Sequence, residues 1–300
     1  MKLLDRILIL IFTMCLIIVS IWFSAVPIAK NATYYHFQFD VNKIYEHENS
    51  EGEKVQTVFY YLDGKYQKAK FTDEQLDMMV DHIIEFLFGN KESFELTLDD
   101  VEVYDRSTNQ YVKMNDVSIF GDAAVTHMHD VKQLFIIFQI ISVIAFVMVI
   151  GLFAYILIRL SQVRKILFEY TMLFYAGFVT ILSIYLTITF VGAVSRYGTN
   201  INLDNFTSIA WEYFHFFFFP FQPDKIQGSF FNDILTEILT LDLFVFAVGV
   251  VIFVLTSIQC IWLTFCLIVK IFGGRIGIKI KQYQYTTSLP KTTSNSAQDS

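Results

Sequence analysis

Phe135-Ile-Ile-Phe-Gln-Ile-Ile-Ser-Val-Ile-Ala-Phe-Val-Met-Val-Ile-Gly-Leu-Phe-Ala-Tyr-Ile-Leu-Ile158 runs for 24 residues without Asp, Glu, Lys, Arg or His, and then meets Arg159. A helix needs about 20 apolar residues to cross a hydrocarbon core of about 30 Å, so this stretch is long enough to span a membrane. Three further blocks share its character: Ile7–Ile28, Tyr170–Ser195 and Leu243–Val269. They explain why 54% of the 300 residues are hydrophobic and only 17% charged, against about 25% charged in an ordinary soluble domain. Lys2 and Arg6 precede the first block as they would in a secretory signal. That block exceeds the usual signal core, and Val26-Pro27-Ile28-Ala29 is a poor cleavage site, so it reads as a retained span. The fold class expected is a membrane all-α protein of four transmembrane helices.

Lys and Arg in short loops mark the cytoplasmic side. Arg159, Arg164 and Lys165 lie between the second and third blocks, and Lys270, Arg275, Lys279 and Lys281 follow the fourth. Net charge is +1 over residues 1–27, +2 over 159–169 and +4 over 270–300, but −10 over 28–132 and −4 over 193–242. The formal −7 of the chain therefore comes wholly from two acidic segments that should face outward, with both termini cytoplasmic. The expected organisation is a first span (1–28), an extracytoplasmic segment (29–132), a second span with its cytoplasmic loop (133–169) and a third span (170–195). A second extracytoplasmic segment (196–242), a fourth span (243–270) and a polar, disordered cytoplasmic tail (271–300) complete it. Cys15, Cys260 and Cys266 all lie within the blocks, which suits buried small hydrophobes and offers no disulfide framework.

The first outer segment predicts a small α+β layer. Thr72 and Gln75 form a capping box, Phe71 can staple to Leu76, and Gly89 supplies a stop, so a helix should run between them. Leu76, Met79, Val80, Ile83, Ile84 and Leu87 make its apolar stripe. Val101-Glu-Val-Tyr-Asp and Gln110-Tyr-Val-Lys-Met alternate around Arg-Ser-Thr-Asn, which predicts a hairpin. The second outer segment holds Trp211-Glu-Tyr-Phe-His-Phe-Phe-Phe-Phe-Pro-Phe221, a cluster too short to span and suited to the headgroup level of a bilayer.

Six histidines could do chemistry. His36, His47 and His82 have no catalytic constellation around them and read as surface or packing residues. His127-Met-His-Asp-Val-Lys132 sits directly before the second block. If it is helical and continuous with that block, His127 and Asp130 share one face and His129 points elsewhere. Asp130 could then hold the His127 tautomer and raise its basicity, although a polar helix start at a membrane surface would use the same residues. A metal site built on His127 and His129 finds no third ligand at supporting spacing, so neither metal nor cofactor is expected. His215 is costly among aromatics at membrane depth unless paired or used, and Glu212, Asp233, Glu237 and Asp242 lie in the same segment. There is no Gly-x-Ser-x-Gly elbow, phosphate loop, His-Glu-x-x-His helix or dinucleotide fingerprint. Spans free of buried charge argue against a solute pathway, and the acidic exterior excludes a nucleic-acid partner.

At these histidines the chain resembles the lipoprotein intramolecular transacylases of low-GC Gram-positive bacteria. Their His-(Met/Leu)-x-Asp-Val-Lys pattern is met by His127–Lys132, their Phe-His-x-x-Phe-Phe by Phe214–Phe219, and a following acidic stretch by Asp233–Phe244. Two positions depart: Ala124 stands where the family pattern has a glutamate, and residues 220–230 lack the expected tryptophan. The resemblance implies an integral protein of the bacterial cytoplasmic membrane with its active face outside. It would act on diacylglyceryl-modified lipoproteins among membrane lipids, moving an ester-linked acyl chain to the α-amine of the N-terminal cysteine and leaving a lyso-form lipoprotein. Because donor and acceptor belong to one molecule, no acyl-enzyme nucleophile is required. His127 and His215 would divide the base and acid roles, with Asp130 orienting His127. The alternatives are a noncatalytic membrane interaction or sensor module, and an outward-facing metalloenzyme using His127 and His129.

Overall fold

The computed structural model describes residues 3–62, 65–89, 91–198, 200–202, 205–206, 208–210, 212–213, 234–239 and 241–288, with residues 61, 66, 237, 241–242 and 273–288 described at backbone level. Among these residues four helices are long and apolar enough to cross a membrane: α1 (Leu3–Ala29), α4 (Asp122–Ile158), α5 (Leu160–Tyr197) and α7 (Leu241–Ser288). Each contains one of the blocks read from sequence. Boundaries differ at three places, the first being α4, which begins 11 residues before the expected 133. Only Arg159 separates α4 from α5, so Leu160–Lys165, expected in a loop, form the first turns of α5; nothing in Leu-Ser-Gln-Val-Arg-Lys breaks a helix. The backbone of α7 continues to Ser288, into the stretch expected as a tail, because no proline follows the fourth block until Pro290.

Helix α1 lies at the centre of the bundle and packs on α4, α5 and α7. Of its most apolar stretch 44% is buried, against 6% for that of α7. Its inward face carries small and hydroxylated residues, which let neighbouring backbones approach. In lipid no water serves these hydroxyls, and each turns back onto its own helix: Thr13 Oγ1 donates to Ile9 O at 2.9 Å, Ser20 Oγ to Leu16 O at 2.6 Å and Ser24 Oγ to Ser20 O at 2.7 Å. Gln259 of α7 donates from Nε2 to Ser20 Oγ at 3.2 Å and accepts from the Tyr175 hydroxyl of α5, so three helices meet in one polar chain. Below it, Phe12 packs on Trp262 with ring centroids 4.6 Å apart, among Ile9, Ile156, Leu167 and Cys266. Asp5, 1% exposed, accepts from the Tyr155 hydroxyl at 2.6 Å and lies 3.6 Å from Arg159 Nη1, which ties the start of α1 to the α4–α5 turn.

The chain between α1 and α4 folds as the expected α+β layer. Helix α2 (Ala32–Val41) follows α1, with Asn31 as N-cap. Then come β1 (His47–Glu48), β2 (Lys54–Val55), β3 (Phe59–Leu62), β4 (Lys65–Lys70), α3 (Asp73–Phe88), β5 (Thr97–Leu98), β6 (Val101–Asp105), β7 (Gln110–Met114) and β8 (Val117–Ser118). The main sheet is antiparallel in the order β3-β4-β6-β7. The hairpin read from sequence is β6–β7, in register from Val101↔Met114 to Asp105↔Gln110. The capping box is present as expected, Gln75 N donating to Thr72 Oγ1 at 3.2 Å and Thr72 N to Gln75 Oε1 at 2.9 Å. Gly89 is required because a Cβ there would lie 2.5 Å from Glu85 O.

Leu76, Met79, Val80, Ile83 and Phe86 of α3 are buried against the inner sheet face of Phe59, Ala69, Val101 and Val103. This core does not end with the layer. Ala124 and Met128 of α4, Ile234, Leu235 and Ile238 of α6 (Ile234–Ile238) and Leu243 of α7 all enter it. The Tyr34 hydroxyl donates to the Leu243 carbonyl, and the Tyr34 ring stacks 5.6 Å from Phe246. Layer and bundle therefore share one hydrophobic core.

His82 lies inside the layer as a packing residue. Its Nε2 donates to Phe94 O at 3.1 Å, and its Nδ1 accepts from the Lys91 ammonium at 3.2 Å, while Lys91 also reaches Glu85 at 2.9 Å. This arrangement uses the neutral imidazole, and burial holds the pKa below its ordinary 6.5. A depressed histidine pKa means that the unfolded chain binds the proton more readily. The contribution is complete above about pH 6.5 and is lost as pH falls through the folded-state value. Hydrogen exchange, corrected for intrinsic rates, should therefore report faster opening of residues 91–96 near pH 5.5 than near pH 7.5, and His82→Asn should flatten that dependence. Equal protection at both pH values would contradict it.

Candidate functional site

Helix α4 starts at Asp122 behind Gly121, so the His127–Lys132 motif is helical and continuous with the span. At 100° per residue, His127 and Asp130 lie about 60° apart on one side of α4, whereas His129 is about 160° round from His127. Three directions on the helix are thus distinguished. Ala124 and Met128 point into the shared core. His129 packs its ring nearly perpendicular to Phe86 of α3, with centroids 5.0 Å apart. His127 and Asp130, both half-buried, occupy the remaining flank. That separation also keeps His127 and His129 from ligating one ion, and no group of three metal-ligating side chains occurs among the described residues.

Ala124, the departure from the family pattern, is fully buried. In this chain the position serves packing between layer and bundle, where a carboxylate would need a partner.

His215 and Asp233 lie outside the described residues, and the side chains of Glu237 and Asp242 are likewise not described. The chain leading towards His215 is held to the C-terminal part of α5. The Tyr185 hydroxyl donates to Ala210 O at 2.7 Å, Ile209 is buried, and Arg196 grips Glu212 through Nη1 and Nη2 at 2.6 and 3.3 Å. A Cβ on Gly192 would lie 2.2 Å from the Tyr213 hydroxyl oxygen, so only glycine admits that ring as placed. Positions 185, 192 and 196 are spaced by seven and four residues and form one stripe on α5. Glu212, read from sequence as a polar-site residue, is thus an anchor. A cleft of about 640 Å³ opens between Ile188, Val191 and Ser195 on one wall and Ile209 and Tyr213 on the other, with Arg196 at its polar side.

The remaining histidines take structural places. His36 Nδ1 meets the Tyr45 hydroxyl and lies 3.1 Å from Asp77 Oδ1, with Tyr45 donating to the same oxygen at 2.9 Å. Burial and the adjacent Asp77 push the Tyr45 phenol well above its ordinary pKa. His47 Nδ1 contacts Tyr45 O at 3.1 Å. This His–Tyr–Asp cluster joins α2 to α3 across 41 residues and has no spacing signature that sequence could reveal.

A family model described as lipoprotein intramolecular transacylase Lit matches residues 10–225, a range that includes His127, Asp130 and His215. The chain belongs to the lipoprotein intramolecular transacylase family. Its fold is similar to the in meso structure of the membrane integral lipoprotein intramolecular transacylase Lit from Bacillus cereus, with a TM-score of 0.55 over 93% of this chain and 98% of that one, at 11% identity. No curated protein matches the chain significantly. Membership makes it a multi-pass membrane acyltransferase of the lipoprotein-modifying kind, with an α+β layer between its first two spans.

Gly192→Val should force Tyr213 off α5. Amide exchange over residues 208–213 is then expected to accelerate while α3 keeps its protection, and unchanged exchange in both would refute the docking.

Proposed function

We propose that this transacylase moves an ester-linked acyl chain of a diacylglyceryl lipoprotein to the α-amine of its N-terminal cysteine. The amine nitrogen attacks the ester carbonyl and passes a proton to a base; the C–O bond to glycerol breaks, and the departing oxygen takes a proton from an acid. The products are an amide and a free glyceryl hydroxyl. An α-amine has a pKa of about 8, and imidazoles near neutrality can perform both transfers. His127 and His215 carry these roles, and Asp130 orients the His127 ring. The observation that supports this most is the continuity of α4, which sets His127 and Asp130 on one flank at the membrane end of the layer. The layer faces outward and both termini lie in the cytoplasm, a reading supported by Arg159, Lys165 and Lys270 at the opposite end of the bundle.

Expression in a host that makes only diacylglyceryl lipoproteins, followed by mass spectrometry of lipoprotein N-termini, tests the reaction. N-acylated lyso-form should accumulate with the wild-type chain, and an unchanged acyl pattern from well-expressed protein would end this reading. His127→Ala and His215→Ala should each lower the rate by about 10²- to 10⁴-fold, the usual range for a lost general acid or base. Asp130→Asn should cost less. For topology, a cysteine at Ser107 should label from outside intact cells and one at Gln162 should not; the reverse result would invert the orientation.

A further inference from the structure

Lys132 closes the motif that carries His127 and Asp130, and a lysine beside a reaction centre invites a role on the substrate. Its surroundings give it a different task. The ammonium donates to the main-chain carbonyl of Lys91 at 2.5 Å and rests 4.5 Å over the ring of Phe86. That ring is fully buried, and the His129 ring also meets it, nearly perpendicular. Two side chains three residues apart on α4 therefore close on one fixed aromatic of α3.

The acceptor is equally fixed. The Lys91 side chain is tied to Glu85 at 2.9 Å and to His82 at 3.2 Å, both on α3, so the residue whose carbonyl Lys132 grips is itself held to that helix. One turn further on, Phe135 meets Phe88 with centroids 5.2 Å apart. By contrast Lys132 lies about 140° round α4 from His127. Its charge is spent on a carbonyl and a ring on the flank away from the His127–Asp130 pair.

We infer that Lys132 is a positioning residue: by clamping α4 to Phe86 and the Lys91 carbonyl, it sets the rotation of the first turns of α4 and so the direction in which His127 and Asp130 are presented. The inference rests on the reading of His127 as a catalytic group. The core contacts of Ala124 and Met128, with Val125 and Val131 packed against the same core, hold α4 against the layer. The Lys132–Phe86–His129 clamp, displaced towards α3, fixes the angle at which this end of α4 meets that helix. Misplacement of a reacting group by about 1 Å can cost on the order of 10²-fold in rate.

The test uses the full chain in membranes or detergent, with Lys132→Met, which keeps the stem and loses the donor, and Lys132→Arg, which can still donate to one carbonyl and lie on the ring. For Lys132→Met, kcat of acyl transfer should fall about tenfold or more with KM for the diacylglyceryl lipoprotein within about twofold, and Lys132→Arg should recover most of the loss. Independently of activity, the rate at which diethyl pyrocarbonate modifies His127, measured by peptide mass spectrometry against His47, should change about threefold or more in Lys132→Met and return in Lys132→Arg. Normal kcat with normal His127 labelling overturns the inference. A fall in kcat with unchanged labelling also overturns it, because Lys132 would then act on the substrate itself. If the wild-type chain transfers no acyl group, the functional reading fails while the labelling arm still decides the clamp. If His127→Ala is inactive and Lys132→Met is normal in both measures, only the clamp fails.

Discussion

Burial of Ala124 and Met128 is the constraint on which this architecture turns. Helix α4 has to be apolar all round where it crosses lipid, and one-sided where it leaves lipid and enters the core of the α+β layer. A single unbroken helix meets both demands, because the i, i+4 pair needs no change of backbone geometry. With that pair seated and His129 and Lys132 closed on Phe86 of α3, the directions around the helix are set, and His127 and Asp130 take the flank that is left. The layer in turn borrows part of its interior from α4, α6 and α7, which supplies apolar surface that a segment of this size would otherwise lack.

Much of this was legible in the amino-acid order. Four uncharged blocks specify four spans because hydrocarbon admits only backbone that satisfies itself. The Thr72–Gln75 capping box and the β6–β7 hairpin could be read because their signals are local. The single-residue turn at Arg159 was not legible, since a basic loop and a basic first helical turn have the same composition. Nor was the docking of Ile209, Ala210, Glu212 and Tyr213 on α5, which depends on Gly192, Tyr213 and Arg196–Glu212 meeting across 16 to 21 residues. A lone glycine inside a span reads as a packing residue until its partner is known.

The histidines show the same division between local and long-range information. Spacing alone separates His127 from His129 once the segment is helical. That His82 depends on Lys91, and His36 on Tyr45 and Asp77, is a property of the tertiary fold, and the sequence around each is unremarkable polar or amphipathic chain. The Ala124 departure gains a physical meaning in the same way, as a core position shared by layer and bundle.

The central place of α1 also bears on how the molecule is made. Synthesis delivers α1 first and α7 last, yet α7 carries Gln259, the partner of Ser20. The first helix must therefore wait in lipid while more than two hundred further residues are translated. Thr13, Ser20 and Ser24 can tolerate that interval because each hydroxyl is already satisfied within its own helix. The bundle can thus be assembled around a core strut that is stable before its neighbours arrive, with the intramembrane link to α7 closing last.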